Sequence, residues 1–292
     1  MKVSLTVVFG ILVAAHSAGA STILHTVDSQ LYRDEAALYP MVGQVTGSGF
    51  SGSGVMISDR WILTAGHIAQ SKASGGTFMV GGINYTVQST VLHPSFGSSS
   101  GSFSHDLGLL YLSAPITGIG SAEMLRLDPP TSILGKEATY VGFGLSGTGL
   151  TGAPSTPIEL RAFTNKIEFY GRQYGLTDTS FVSDFDDPFG QINRQDSEPV
   201  ATRLEGAVAP GDSGGGVFVT ENGVRYLIGI NSYSGYVSAA TSNSKYGGLS
   251  GAVDLQQFHS WISANTGITA VPEPSAFLLG MLGGLLCLKC RR

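Results

Sequence analysis

From residue 41 onward, short apolar runs alternate with segments rich in Gly, Ser, Asn and Pro. Runs of this length, bounded by turn-forming residues, are typical of β-strands. In the first half of the chain the pattern predicts strands over residues 54–57, 61–64, 78–80, 85–87 and 107–112. In the second half it predicts strands over residues 138–141, 167–170, 216–219 and 226–230. The fold class that this pattern indicates is all-β.

One segment departs from the strand pattern. Residues 255–265 have helical spacing, with Phe258, Trp261 and Ile262 on one face. The turn-rich segment at residues 128–131 divides the domain, residues 41–268, into halves of about 41–128 and 132–262. Residues 21–40 have a mixed composition and are interpreted as an N-terminal arm or a leader.

Composition excludes some classes of function. Hydrophobic residues make up 42% of the chain, which is ample for a core, and charged residues only 13%. The net charge is −5, but four of the 16 basic residues and none of the 21 acidic ones lie in residues 1–20 and 275–292. The remainder therefore carries a net charge of −9 and no basic run, so nucleic acid is not an expected partner.

The N-terminal twenty residues have the organisation of a secretory signal peptide. Lys2 precedes an apolar run over residues 3–15, and Ala18-Gly19-Ala20 follows it. A positive start, an apolar middle and an A-x-A exit predict cleavage before Ser21. The alternative is a buried N-terminal helix.

The C-terminal end has a three-part pattern. Pro272-Glu273-Pro274 precedes thirteen apolar residues, 276–288, and a basic cluster ends the chain. Thirteen residues fall short of the ~20 that span a bilayer, and the basic cluster favours the cytoplasmic side. The pattern resembles the PEP-CTERM sorting tail of Gram-negative bacteria, over residues 271–292 with a short transmembrane segment. The resemblance implies transient membrane anchoring, cleavage by an exosortase-type processing enzyme and release to the cell surface or medium.

Both cysteines lie in this tail. The C-x-x-C spacing of Cys287 and Cys290 has no second pair to complete a zinc site. We interpret the two residues as incidental, so the exported domain contains no disulfide. We expect no cofactor and no metal.

Three short stretches carry candidate chemistry. A predicted strand runs directly into His67, Asp106 precedes an apolar strand, and Ser213 lies in the glycine-rich sequence Gly211-Asp-Ser-Gly-Gly-Gly216. Each alone has a structural explanation, as a strand-end histidine, a turn aspartate or a flexible loop. Together they supply a nucleophile, a base to activate it and an acid to orient the base.

The three stretches, in the order His, Asp, Ser, resemble the signature blocks of the chymotrypsin/trypsin family. The resemblance covers residues 41–262 and implies two six-stranded antiparallel β-barrels with a C-terminal helix. It also implies a serine endopeptidase with His67, Asp106 and Ser213 as catalytic residues and the amides of Gly211 and Ser213 as oxyanion hole. The expected partner is a protein or peptide substrate.

The resemblance also implies the substrate-binding residues. Ala207 would lie at the base of the primary pocket, with Ser232 beside Asp106 and Tyr233 and Ser234 along the substrate. Glu205 is two positions too early in the sequence to face the pocket. Because no charge is expected in the pocket, we predict cleavage after uncharged, apolar residues.

Two segments have no settled role at this level. In relatives activated by cleavage, a new apolar N-terminus pairs with the acid before the serine, here Asp212, and Met41-Val42-Gly43 occupies the likely position. No basic residue marks a cleavage there. The cluster Asp184, Asp186 and Asp187 could bind calcium, but a solvated acidic loop is the favoured interpretation.

Two other functions compete with the protease. An α/β-hydrolase is weakly supported by the G-x-S-x-G spacing around Ser213, but the only histidine that follows is His259. A catalytically inactive trypsin-like binding module at the cell surface is the second alternative, which labelling of the active-site serine would distinguish.

Overall fold

The computed structural model describes residues 21–47, 50–71, 75–97, 103–127, 133–155, 159–192, 199–236 and 244–272. The predicted signal peptide, the segment at residues 128–131 and the sorting tail from Glu273 onward lie outside these residues. Within the described ranges, no helix is long and apolar enough to cross a membrane.

The first half of the domain is a closed six-stranded barrel in the order β2-β3-β4-β7-β6-β5. Its strands are β2 (Val42–Gly47), β3 (Phe50–Met56), β4 (Trp61–Thr64), β5 (Thr77–Val80), β6 (Ile83–Leu92) and β7 (Gly108–Leu112). Neighbouring strands are antiparallel. The barrel interior is filled by fully buried apolar side chains, among them Val45, Val55, Leu63, Phe78 and Leu109.

The second half is built on one curled sheet in the order β12-β9-β16-β17-β18-β14-β13. The path contains β9 (Glu137–Gly142), β12 (Arg161–Lys166), β13 (Phe169–Tyr170), β14 (Ser180–Asp184), β16 (Gly216–Glu221), β17 (Val224–Tyr236) and β18 (Gly248–Asp254). The short strand β8 (Glu123–Arg126) pairs with β17, and β19 (Val271–Pro272) pairs with β8.

Among the described residues this sheet curls into a half-barrel and, unlike the first, does not close. The gap lies between β12 and β14. There the Asn165 side-chain amide donates to the carbonyls of Asp184 and Gly206, and a single bridge joins Thr164 to Glu205. A side chain thus takes the place of a strand ladder. The all-β, trypsin-like class with a C-terminal helix is confirmed.

The N-terminal arm is part of the second half. Strand β1 (Thr22–Ile23) lies between β10 (Ser146–Thr148) and β15 (Gly206–Ala207), and β11 (Gly152–Ser155) completes this four-stranded sheet. Helix α1 (Ser29–Ala36) follows β1, and the hydroxyl of its buried Tyr32 donates to the Glu205 carbonyl and accepts from the Leu24 amide. Tyr32 therefore connects Leu24, near the start of the arm, to the segment at Glu205 that leads to Ser213.

Two further helices complete the domain. The short α2 (Gly66–Gln70) directly follows β4. The helix predicted over residues 255–265 is interrupted at Phe258, into a 3₁₀ turn (Leu255–Gln257) and α3 (His259–Thr266). Ile262 is the buried residue of α3, and Gly267 ends the helix in the left-handed conformation that glycine favours.

Candidate active site

His67 and Asp106 come from adjacent elements of the barrel. Strand β4 pairs with β7, so the helix that follows β4 and the residue that precedes β7 meet at one end of the sheet. His67 Nδ1 lies 2.8 Å from Asp106 Oδ2, and the His67 amide donates to Asp106 Oδ1 over 2.9 Å. Because the carboxylate is an acceptor, Nδ1 carries the proton and Nε2 keeps a lone pair.

Asp106 is fully buried and is also bonded from the second half of the domain. The Ser232 hydroxyl, on β17, donates to Asp106 Oδ2 over 2.5 Å. The carboxylate therefore accepts three hydrogen bonds and has a single orientation. Ser232 thus lies beside Asp106.

Ser213 lies in a tight loop, residues 209–215, which we call the nucleophile loop. Gly211 and Gly214 have φ angles of 100° and 88°, which require glycine. The amides of Asp212, Gly214 and Gly215 donate to the carbonyls of Ala209, Asn231 and Asp212, and the Ala209 amide donates to the Asp212 carboxylate. Within the described part of the chain, the amides of Gly211 and Ser213 donate to no acceptor. They are the pair available to a bound ligand.

A small cavity of about 60 Å³ lies beside the nucleophile loop. It is lined by Val208, Ala209, Pro210, Ser213, Asn231, Ser232, Tyr233 and Ser234. Ser213 is half-buried in its wall, and its hydroxyl has no hydrogen-bond partner among the described residues. Ser232, Tyr233 and Ser234 thus line the same cavity as Ser213.

Ala207 is placed differently from the prediction. It belongs to β15, is fully buried and packs with Leu24, Phe185 and Tyr246 behind the cavity. Strand pairing with Thr22 turns it away, so Val208 forms the wall instead.

Glu205 does not face the cavity either. Its Oε2 accepts from the amide and hydroxyl of Thr202 at 2.7 and 2.6 Å, and its Oε1 from the Asp186 amide at 3.4 Å. Burial raises the pKa of Glu205 well above its usual value, with a smaller upward effect from Asp186. Because its oxygens are bonded to Thr202 and Asp186 away from the cavity, the Glu205 carboxyl offers no partner to a substrate cation.

Phe103, which the sequence analysis did not single out, lies next to His67. The ring of Phe103 stacks on Tyr233 with centroids 5.2 Å apart and approaches the His67 ring edge-on at 6.2 Å. The Tyr233 hydroxyl lies 2.8 Å from the Ser180 hydroxyl, which fixes the Tyr233 ring. No short motif in the sequence marks Phe103.

Asp212 is fully buried behind Ser213 and contacts the start of the arm. Its Oδ2 accepts from the Ser21 hydroxyl over 2.9 Å and the Ala209 amide over 2.8 Å, whereas its Oδ1 has no hydrogen-bond partner among the described residues. Burial raises the pKa of Asp212 to about 7, although these hydrogen bonds lower it. The position that the sequence analysis gave to Met41-Val42-Gly43 is therefore wrong, because that segment enters β2 of the barrel and Ser21 reaches Asp212.

The acidic cluster is buried, which contradicts the interpretation as a solvated loop. Asp184, Asp186 and Asp187 are 1%, 4% and 5% exposed. The Asp187 carboxylate accepts from the Phe189 and Ile192 amides. The described part of the chain contains no group of three or more His, Cys, Asp or Glu side chains that could hold a metal ion.

Through Ser232, which bonds Asp106 and lines the cavity, the His67–Asp106 pair is connected to Ser213 in its glycine-rich loop. The family model for trypsin matches residues 32–262, and the chain belongs to the trypsin family. Human kallikrein-12 is 32% identical over 123 residues, which are 40% of this chain and 48% of kallikrein-12. The chain thus spans about half the length of this curated relative.

The fold has a counterpart among solved structures. Neuropsin, a serine protease expressed in the limbic system of mouse brain, aligns with a TM-score of 0.56 and 18% identity. The alignment covers 78% of this chain and 94% of neuropsin. At this identity the likeness concerns the fold.

Proposed function

We propose that the protein is an exported serine endopeptidase that hydrolyses peptide bonds through His67, Asp106 and Ser213. The observation that carries the proposal is that Ser232, whose hydroxyl donates to Asp106 of the His67–Asp106 pair, lines the same cavity as Ser213. An inactive binding module needs no such connection between an oriented histidine and a serine whose hydroxyl has no partner among the described residues.

In the proposed reaction, Ser213 Oγ attacks the substrate carbonyl as His67 Nε2 takes its proton. The serine–histidine contact tightens when the substrate binds. His67 then gives the proton to the leaving amine, and an acyl-enzyme remains on Ser213. Water, activated by the same nitrogen, releases the acid and regenerates the serine. Asp106 keeps the imidazole in the required tautomer and stabilises its protonated form.

The amides of Gly211 and Ser213 would stabilise the negative oxygen of the tetrahedral intermediate. A single donor of this kind contributes about 3 to 4 kcal/mol to catalysis in comparable sites. The test of the proposed function is labelling of purified protein with a fluorophosphonate, followed by location of the modified residue. We expect it at Ser213.

The cavity favours uncharged side chains at the cleaved position. Its lining among the described residues carries no charged group, so a substrate Arg or Lys would be buried there without a partner. A peptide-library profile should show preference for apolar residues. A preference for Arg or Lys would contradict the assignment of the pocket.

The matched variant for this prediction is Ser234→Gly. Ser234 is a half-buried residue of the cavity wall, and removing its side chain widens the entrance. We expect cleavage after Phe to rise about tenfold relative to cleavage after Val, because loss of the hydroxymethyl group leaves more room for the larger side chain. An unchanged profile would show that another segment sets the size limit.

We also propose that both ends of the chain are removed. The signal peptide would be cut before Ser21, and the sorting tail near Pro272-Glu273-Pro274 by an exosortase-type enzyme after transient membrane anchoring. Intact mass spectrometry of protein from the native host should give a mass that begins at Ser21 and excludes Arg292. A mass that includes residues 275–292 would contradict the sorting-tail proposal.

Removal of the signal peptide would complete the site. A cut before Ser21 creates an α-amino group on a residue whose hydroxyl already bonds Asp212. Among the described residues the buried Oδ1 of Asp212 has no hydrogen bond of good geometry, and a cation at this point would neutralise the carboxylate. We propose that this ion pair holds the nucleophile loop in its active conformation.

A further inference from the structure

Ser53 lies where strand β3 of the barrel meets the nucleophile loop of the second half. Strand β4 pairs with β3 only at Val55 and Met56, so the β3 residues before Val55 have backbone groups free on that side. Ser53 is fully buried. Its hydrogen bonds therefore go to the loop and to the end of β4.

All polar atoms of Ser53 are used in these contacts. Its amide donates to the Ser213 carbonyl over 2.8 Å, and its carbonyl accepts from the Thr64 hydroxyl over 2.7 Å. Its hydroxyl donates to the Gly211 carbonyl over 2.9 Å and accepts from the Phe143 amide over 2.8 Å. Because the Phe143 amide can only donate, the serine proton has one direction, toward Gly211.

Gly211 is the residue of the loop that most needs such a constraint. With a φ of 100° and no side chain, it has little intrinsic preference that would hold the peptide planes on either side of it. In the described part of the chain, the Ser53 hydroxyl is the donor to its carbonyl. Rotation of this carbonyl would change the orientation of the Gly211 and Ser213 amides relative to each other.

We infer that Ser53 is a positioning residue for the oxyanion site. Its hydroxyl and its amide hold the carbonyls of Gly211 and Ser213, so the amides of the same two residues stay directed at the cavity. The inference rests on the proposed function, since it assigns a role to these amides. Ser53 belongs to the first half of the domain, whereas the two amides belong to the second, and Ser53 is not itself one of the proposed catalytic residues.

The test is Ser53→Ala, which removes the hydroxyl and keeps the backbone bond to Ser213. We expect kcat to fall about 10- to 100-fold with KM within about threefold, because misdirected amides weaken the transition state more than the bound substrate. Affinity for a peptide boronic acid, which forms a tetrahedral adduct at the serine, should fall by a similar factor. If Ser53 had only a structural role, the substitution would lower the melting temperature but leave kcat and the affinity for the boronic acid unchanged.

Ser51→Ala is the matched control. It removes a hydroxyl on the same strand that bonds Gln44 rather than the nucleophile loop, and it should keep wild-type kcat. If Ser53→Ala does not fold, Ser53→Cys is measured under reductant, because the thiol fills a similar space but donates weakly. Wild-type kcat and boronic acid affinity in either Ser53 variant would overturn the inference. Failure of the wild-type protein to be labelled at Ser213 would instead refute the proposed function.

Discussion

Replacing Ser213 with alanine should abolish peptide hydrolysis and fluorophosphonate labelling while leaving the fold unchanged. The hydroxyl is the proposed attacking group, and losses of such a nucleophile reduce kcat by roughly 10⁶-fold. Its side chain is half-buried and makes no hydrogen bond within the described residues, so its removal disturbs no packing. The measurements are kcat on a library-selected peptide and the melting temperature of both proteins.

Ser232→Ala is the informative companion to this variant. It removes one of three hydrogen bonds to Asp106, so kcat should fall by a smaller factor, about tenfold, and labelling should persist. If Ser213→Ala kept a tenth of wild-type activity, or if the label were found on another residue, the catalytic assignment would be wrong.

Much of the fold follows from local sequence pattern. Residues 61–64 form β4 with the predicted bounds, and most other predicted runs lie within longer strands. These runs were detectable because apolar residues fill a two-sided core between turns. The run at residues 167–170 yields only the strand Phe169–Tyr170, because Ile167 turns into the core and its amide bonds the Lys136 carbonyl.

Such local patterns could not predict contacts between distant parts of the chain. Ser21 and Asp212 are separated by 191 positions, and no motif in residues 21–40 shows that the arm enters the second half. Ser53 is a polar residue in a strand, typical of many surface positions, and its role depends on a loop 158 positions later. His67, Asp106 and Ser213 were recognisable because each has its own local context.

The burial of Asp184, Asp186 and Asp187 could not be predicted for the same reason, since it depends on contacts formed only in the folded chain. A run of aspartates before a glycine predicts a solvated turn from sequence alone. In the fold, backbone amides of residues 189 and 192 bond the Asp187 carboxylate, and the Asp184 amide donates to Glu168. Amides that become available only after the loop has folded decide whether a carboxylate is solvated or buried.

A free α-amino group on Ser21 should be required for full activity. In protein that retains Gly19 and Ala20, the Ser21 nitrogen is a neutral amide, and the buried Asp212 carboxylate has no ion-pair contact among the described residues, although Arg161 lowers its pKa from farther away. Loss of a paired cation from a buried carboxylate of this kind costs about 3–5 kcal/mol. We therefore expect kcat/KM to fall about 10²- to 10³-fold compared with protein that begins at Ser21, measured on one peptide with both masses verified.

The dependence of this difference on pH provides a second test. The raised pKa of Asp212 means that, in the extended protein, folding favours the protonated carboxyl. Stability from this group is full below pH 4 and is lost as pH rises through about 7. The ratio of activities, native terminus over extended, should therefore increase between pH 5 and pH 7.

Ser21→Gly with the native terminus separates the two groups on Ser21. It keeps the amine and loses the hydroxyl bond to Asp212, so its kcat/KM should stay within about fivefold of wild type, because one hydrogen bond contributes about 1 kcal/mol. Asp212→Asn with the same terminus should lose activity as the extended protein does, since the amine then has no carboxylate. If the extended protein were as active as the protein that begins at Ser21, the Asp212 carboxylate would need no cation, and signal-peptide removal would serve export alone.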